Sequence, residues 1–233
     1  TFFSYKGGMG RTTALTAVAL ELLRRKKNVL MLDTDLEAPG LSTFFFPADD
    51  AGYIRKGTVD YLQEKSMNPN TPMNMSDYII PLTSPVYMEN GMGNLYLVSG
   101  GKLNDEFLLK LARIDSQELV GENLKKNLVQ LLKDCCEALK GSGGIDYILI
   151  DSRAGFHDMA GVVTAQIPHG IVLFGKDSFQ SWFGIQQAVR TIATSQADKP
   201  FAIMVDSACG VNGIVSEEEK EHFRQKSYEV FCS

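Results

Sequence analysis

"SYKGGMGRTTAL" (Ser4–Leu15) is the stretch on which the fold turns. The apolar Thr1-Phe2-Phe3 leads into it, Gly7, Gly8 and Gly10 follow closely, and Leu15, Val18, Ala19, Leu22 and Leu23 then recur at helical spacing. Strand, glycine-rich turn and helix in that order aim backbone N–H groups at an anion beside a helix N-terminus. The strict phosphate-loop pattern is Gly, four residues, then Gly-Lys-Ser/Thr. Here Tyr5 stands where the first glycine belongs and Arg11 where the lysine belongs, while a lysine sits early, at Lys6. Gly7, Gly8, Met9, Gly10, Arg11, Thr12 and Thr13 are the candidates for cradling phosphate. The Thr12 hydroxyl is placed to ligate Mg²⁺ beside it. Arginine also grips phosphate, often with two hydrogen bonds, but it is bulkier and planar.

Outward from the loop, short apolar runs alternate with amphipathic segments. "NVLMLD" (28–33), "NLYLVSG" (94–100), "IDYILID" (145–151), "GIVLFG" (170–175) and "FAIMVD" (201–206) read as buried strands. "LVQLLKDCCEAL" (128–139) reads as a helix closed by Gly141, Gly143 and Gly144, and Trp182, Ile185, Val189 and Ile192 mark another. Continuously apolar strands separated by helices predict an α/β fold: a mostly parallel sheet covered by helices on both faces. Ligands of such sheets bind beyond the carboxyl ends of the strands. Asp33, Asp151 and Asp206 all stand at such ends. Asp35 suits either a turn cap or a role at that rim. Residues 47–93, rich in Pro, Gly, Asn and Met, read as a long irregular insertion with one helix around Val59 to Lys65, either functional or a surface decoration. We expect one domain over 1–233, cut from a longer chain, with Tyr228 to Ser233 entering a further strand.

Composition narrows the function classes. The 233 residues carry a net charge of −5, which does not suggest a surface-wide nucleic-acid binder. The run Arg24-Arg25-Lys26-Lys27 reads as a solvated helix end, where cations complement the helix dipole. Cys135, Cys136, Cys209 and Cys232 form no C-x-x-C pair and do not cluster with the three histidines, so zinc and iron–sulfur chemistry is disfavoured. Cys135 and Cys136, adjacent on a predicted helix, read as packing thiols of a reducing compartment, and the chain is expected to be cytoplasmic. No signal peptide or membrane-spanning run is visible. Trp182 reads as packing rather than as a platform for a base.

Three ordered motifs carry a resemblance. "YKGGMGRTT" resembles the deviant Walker A motif, K-G-G-x-G-K-[ST]-T, of the ParA/MinD family of P-loop ATPases. "VLMLDTDLEAPGL" (29–41) is similar to the family's strand ending in Asp-x-Asp, and "YILIDSRAG" (147–155) to its strand ending Asp-Ser-Pro-x-Gly. "GNLYLVSGGK" (93–102) resembles the strand between the second and third motifs. The resemblance implies a P-loop NTPase fold of the deviant Walker A class and a Mg²⁺-dependent ATPase acting as a switch. Two subunits would close around ATP as a homodimer, and a protein partner or a fused effector domain would read the state. It implies that Lys6 reaches the partner subunit's phosphates, and that Gly8 and Gly10 to Thr13 cradle the chain's own. Thr12 would ligate Mg²⁺, Asp33 hold it through water, and Asp151 support it from behind. Asp35 would orient the attacking water, and the Gly155 N–H would sense the γ-phosphate.

Two departures stand out. Arg11 replaces the loop lysine, which bears on hydrolysis more than on binding. Arg153 replaces the proline after Asp-Ser and suits either an ion pair, for example with Asp158, or an approach to phosphate. At the late strand end, adenine follows from the resemblance, whereas the Asp206 carboxylate would also suit guanine. Alternative readings are a nucleotide-binding assembly module with negligible hydrolysis, and an ATPase positioned on DNA or membrane. The latter needs a basic surface or an amphipathic C-terminal helix, and neither is evident.

Overall fold

The computed structural model describes residues 1–46, 51–116, 122–156, 158–195, 200–207 and 215–232. The chain resolves into two compact units, Thr12–Arg153 and the pair Thr1–Arg11 with Ala154–Ser233.

In the Thr12–Arg153 unit the strands are β2 (Val29–Asp33), β3 (Ile80–Pro81), β4 (Leu95–Val98) and β5 (Tyr147–Asp151), in the order β3-β4-β2-β5. β2 runs parallel to β4 and to β5, with Asp33 opposite Asp151, so the two carboxylates leave the sheet side by side. β3 pairs antiparallel with β4 and forms an edge. Every residue of β2 is buried, as expected of a strand covered on both faces. Helix α1 (Arg11–Arg24) follows the glycine loop and buries Leu15, Ala19 and Leu23 completely, each position on one stripe. It ends in the basic run: Arg24 and Arg25 pair with Glu21, and Lys27 with Asp146. Helix α4 (Glu122–Leu139) likewise buries Leu124, Leu128, Leu131 and Cys135.

The insertion is more than a decoration. Its helix α2 (Thr58–Met67) is largely buried and packs on α3 (Asp105–Ser116) and α4. Its segment at Ile80–Pro81 supplies the antiparallel edge strand. Residues 47–50 lie outside the described residues.

In the other unit, β1 (Phe2–Ser4), β6 (Gly170–Gly175) and β7 (Phe201–Asp206) run parallel in the order β1-β6-β7. Helices α5 (Asp158–Ala165), α6 (Phe179–Ser195) and α7 (Glu217–Cys232) accompany them. Phe3, Ile171, Leu173, Ile185 and Ile192 form the core, with Trp182 packed against it as its apolar stripe predicts. Fully burying each such side chain contributes roughly 1.5–3 kcal/mol.

The expected strand after Tyr228 is a correction. That stretch, up to Cys232, is the end of α7, with Ser233 outside the described residues. Ser216 caps the helix reciprocally with Glu219: the Glu219 N–H donates to the Ser216 hydroxyl at 3.1 Å, and the Ser216 N–H donates to the Glu219 carboxylate at 2.8 Å. Ion pairs Glu217–Lys220, Glu221–Arg224 and Lys226–Glu229 line its outer face, while Phe223 anchors it.

Candidate functional site

The loop between β1 and α1 is held from beneath. Ser4, the last residue of β1, is buried; its hydroxyl donates to the Lys6 carbonyl at 2.6 Å and accepts a hydrogen bond from Arg11 Nη1 at 3.1 Å. Arg11 is only 8% exposed, so its guanidinium lies under the loop and secures the strand end. Gly8 and Gly10 take φ of +71° and +74°, conformations that only glycine adopts at little cost. A Cβ added at Gly7, Gly8 or Gly10 would meet no atom within 4 Å, so the loop opens onto free space. Gly7, Gly8, Gly10 and Thr13 are exposed, while Lys6, Met9 and Thr12 are half-buried.

Tyr5 seats the start of this loop. Its ring lies over Gly184 of α6, where an added Cβ would come within 1.9 Å of Tyr5 Cγ. Phe156 stacks obliquely on both Tyr5 and Phe3, at ring distances of 5.7 and 5.8 Å. Gly155, at φ +85°, donates its N–H to the Ser4 carbonyl at 3.1 Å. Asp206 ends β7 and lines a shallow cleft with Lys220 and Arg224 of α7.

An acidic pole forms at the carboxyl ends of β2 and β5. The Thr12 hydroxyl donates to Asp151 Oδ2 at 2.6 Å. Thr34 donates twice to the Asp151 carbonyl, from its N–H at 3.0 Å and its hydroxyl at 2.8 Å, and so locks the two strand ends. Asp33 is fully buried; its carboxylate accepts the N–H groups of Asp35 at 3.0 Å and Leu41 at 3.1 Å. Burial, and after it the neighbouring Asp151, push the Asp33 carboxyl up to about 8, against the pull of those two N–H groups. Asp35 is half-buried, and its carboxylate accepts the Ala38 N–H at 3.4 Å. Arg153 pairs with Glu37. The Asp158 side chain, the partner expected from the sequence, lies outside the described residues.

The structure thus groups Thr12, Asp33, Asp35, Asp151 and Arg153 in one unit, and Lys6 to Arg11, Gly155 and Asp206 in the other. Four contributors escaped sequence reading. Ser4, Gly184 and Glu37 carry no motif. Thr58 donates its hydroxyl to the Asp33 carbonyl at 2.7 Å and the Ser99 carbonyl at 3.2 Å. Its signal is the turn Gly57-Thr58-Val59-Asp60, where the Asp60 carboxylate accepts the Gly57 N–H at 2.8 Å.

The donor set suits a hard cation. Among the described residues no group of three His, Cys, Asp or Glu is arranged to hold a metal ion alone. Mg²⁺ in phosphate sites takes one or two protein oxygens and completes its shell with water and phosphate. The Thr12 hydroxyl backed by Asp151, with Asp33 opposite on the sheet, is a set of that kind.

No family model matches the sequence, and no curated protein matches it. Solved structures do. The septum site-determining protein MinD of Pyrococcus horikoshii OT3, solved with Mg-ADP, is 20% identical over 94% of this chain and 74% of that chain, with a TM-score of 0.59. ParA of pNOB8, bound to nonspecific DNA, is 15% identical over 98% and 73%, with a TM-score of 0.66. Cyanothece McdA in an ATP complex is 16% identical over 98% and 77%, with a TM-score of 0.62. The chain has the ParA/MinD fold. Mostly parallel strands accompanied by helices, as in each of the two units, are the mark of that fold. The ParA/MinD neighbours were solved with Mg-ADP, with ATP or on DNA, and among the described residues no helix is long and apolar enough to cross a membrane.

Proposed function

We propose that this chain is a Mg²⁺-dependent, ATP-binding and hydrolysing switch whose two copies close around nucleotide and whose state is read by a partner or an attached domain. The observation that carries this reading is the acidic pole: a threonine hydroxyl 2.6 Å from Asp151, beside a fully buried Asp33, immediately after an open glycine loop. The backbone N–H groups of Gly7 to Thr13 cradle the phosphates. Thr12 and Asp33 would hold the Mg²⁺, and Asp151 keeps the threonine hydroxyl oriented. Mg²⁺ supplies charge neutralisation at the transferring phosphoryl group. Asp35 positions the attacking water, and Lys6 serves the neighbouring subunit's phosphates. For Gly155 to report the γ-phosphate, its N–H must exchange the Ser4 carbonyl for a phosphate oxygen. The fold shared with MinD, ParA and McdA supports the class of activity.

One observation favours a second reading, an assembly module that binds nucleotide without turning it over. Arg11 is buried and bonded to Ser4 rather than extended like a loop lysine. Analytical ultracentrifugation with Mg²⁺-ATP, with ADP and without nucleotide, alongside phosphate release, decides. Dimer with ATP, monomer with ADP and slow release are expected of the switch. ATP-dependent dimer without release establishes the module, and constant mass without release removes both.

A further inference from the structure

The two loops that leave the acidic pole are clasped by one ion pair. Arg153 follows Asp151-Ser152 after β5, and its Nη1 meets Oε1 of Glu37. Glu37 stands two residues beyond Asp35 in the loop after β2. The backbone on either side is fixed. Ser152 is fully buried and donates to the Arg153 carbonyl at 3.2 Å, Thr34 ties down the Asp151 carbonyl, and the Asp35 N–H is bound to Asp33. The two paired side chains, by contrast, are 34% and 46% exposed, so they can change partners without moving the sheet. A guanidinium recognises carboxylate and phosphate through the same fork of N–H donors. Asp35 and Asp151 each stand two residues before one member of the pair, so carboxyl groups flank it along the chain and an anion arriving there needs a cation to meet it.

We propose that Arg153 is a ligand of the terminal phosphate of a nucleoside triphosphate, and that Glu37 is the carboxylate with which that phosphate competes. The proposal rests on the nucleotide-switch reading and specifies how the site tells triphosphate from diphosphate. Without nucleotide, Glu37 retains Arg153 and the clasp is closed. The γ-phosphate takes over the guanidinium, Glu37 is released, and the loop carrying Asp35 gains freedom to close on the nucleotide. A diphosphate offers no group at that position, so the clasp re-forms after hydrolysis.

Calorimetric titration of Mg²⁺ with a non-hydrolysable ATP analogue, and of Mg²⁺-ADP, into wild type, Glu37→Gln, Arg153→Ala and the double variant tests this. Glu37→Gln is expected to tighten the triphosphate on the order of threefold, the scale of a half-exposed ion pair, and to leave ADP unchanged. Arg153→Ala is expected to weaken the triphosphate on the order of tenfold or more, the scale of a charged hydrogen bond, and to leave ADP unchanged. Glu37→Gln has no further effect in the Arg153→Ala background, and Arg153→Lys restores part of the loss. An unchanged ratio of triphosphate to ADP affinity in Arg153→Ala, or an equal shift of both nucleotides in Glu37→Gln, overturns the proposal while the switch reading stands. Failure of wild type to bind either nucleotide overturns both. Because the pair is half-exposed, nucleotide-free melting points near that of wild type are expected and exclude misfolding as the cause.

Discussion

Asp33 shows how a single buried carboxyl couples this site to pH. Its folded-state value near 8 stands well above the roughly 4 of an unfolded aspartate, so the folded protein holds a proton that the unfolded chain has released. Stability from this group is therefore fully present below about pH 4 and drains away as pH rises toward 8. The melting temperature of nucleotide-free protein is expected to fall between pH 5 and pH 8, and Asp33→Asn is expected to flatten that slope. A slope identical in the two proteins would assign the titration elsewhere. Arg11 supports a second expectation at this scale. Its guanidinium bonds Ser4, and Ser4 in turn holds the Lys6 carbonyl. Arg11→Lys removes the planar donor that reaches Ser4, so it should lower the melting temperature even as it restores the usual loop residue. Phosphate release measured on the same variant shows whether a lysine there raises turnover.

At the scale of elements, two contacts decide where loops start. Tyr5 lies on the bare face of α6 at Gly184, and no side chain fits between them. Gly184→Ala is expected to cost about 1–3 kcal/mol through overpacking, a loss that Tyr5→Ala should partly relieve in a double-mutant cycle read by denaturant unfolding. α2 is tied at its first residue to the ends of β2 and β4 through Thr58. Thr58→Val should therefore destabilise by about 1–3 kcal/mol, because the donor of two buried hydrogen bonds is lost, whereas Thr58→Ser retains most of the stability. These contacts also mark where sequence reading stops. β2, β5 and β6 were legible because continuous apolar runs ending in fixed residues need only local information. The cap of α2 was present in the letters, but the carbonyls that Thr58 binds lie on other strands. α7 is polar on most of its surface and offers no apolar stripe; its one local signal was the Ser216–Glu219 cap. Glu37 and Arg153 meet only because β2 and β5 are neighbours in register, which neither residue's surroundings in the chain announce.

At the scale of the whole molecule, the proposed switch depends on Lys6, which is half-buried next to an open loop. Lys6→Ala is expected to abolish ATP-dependent dimerisation, seen as a constant sedimentation coefficient with and without Mg²⁺-ATP, while nucleotide binding by each subunit persists. Dimerisation unaffected by the substitution would argue against closure across the nucleotide.

Among the described residues, β7 pairs with β6 alone, and it leaves Phe201 and Ile203 64% and 49% exposed. Greasy side chains left open on a strand are a feature that recruits like strands indiscriminately. Concentrated samples are therefore prone to stick through β7 irrespective of ligand, a cohesion that grows with protein concentration and resists ATP withdrawal. Ile203→Lys should suppress that adhesion and leave any ligand-driven pairing intact, which makes it the background on which subunit association is best weighed.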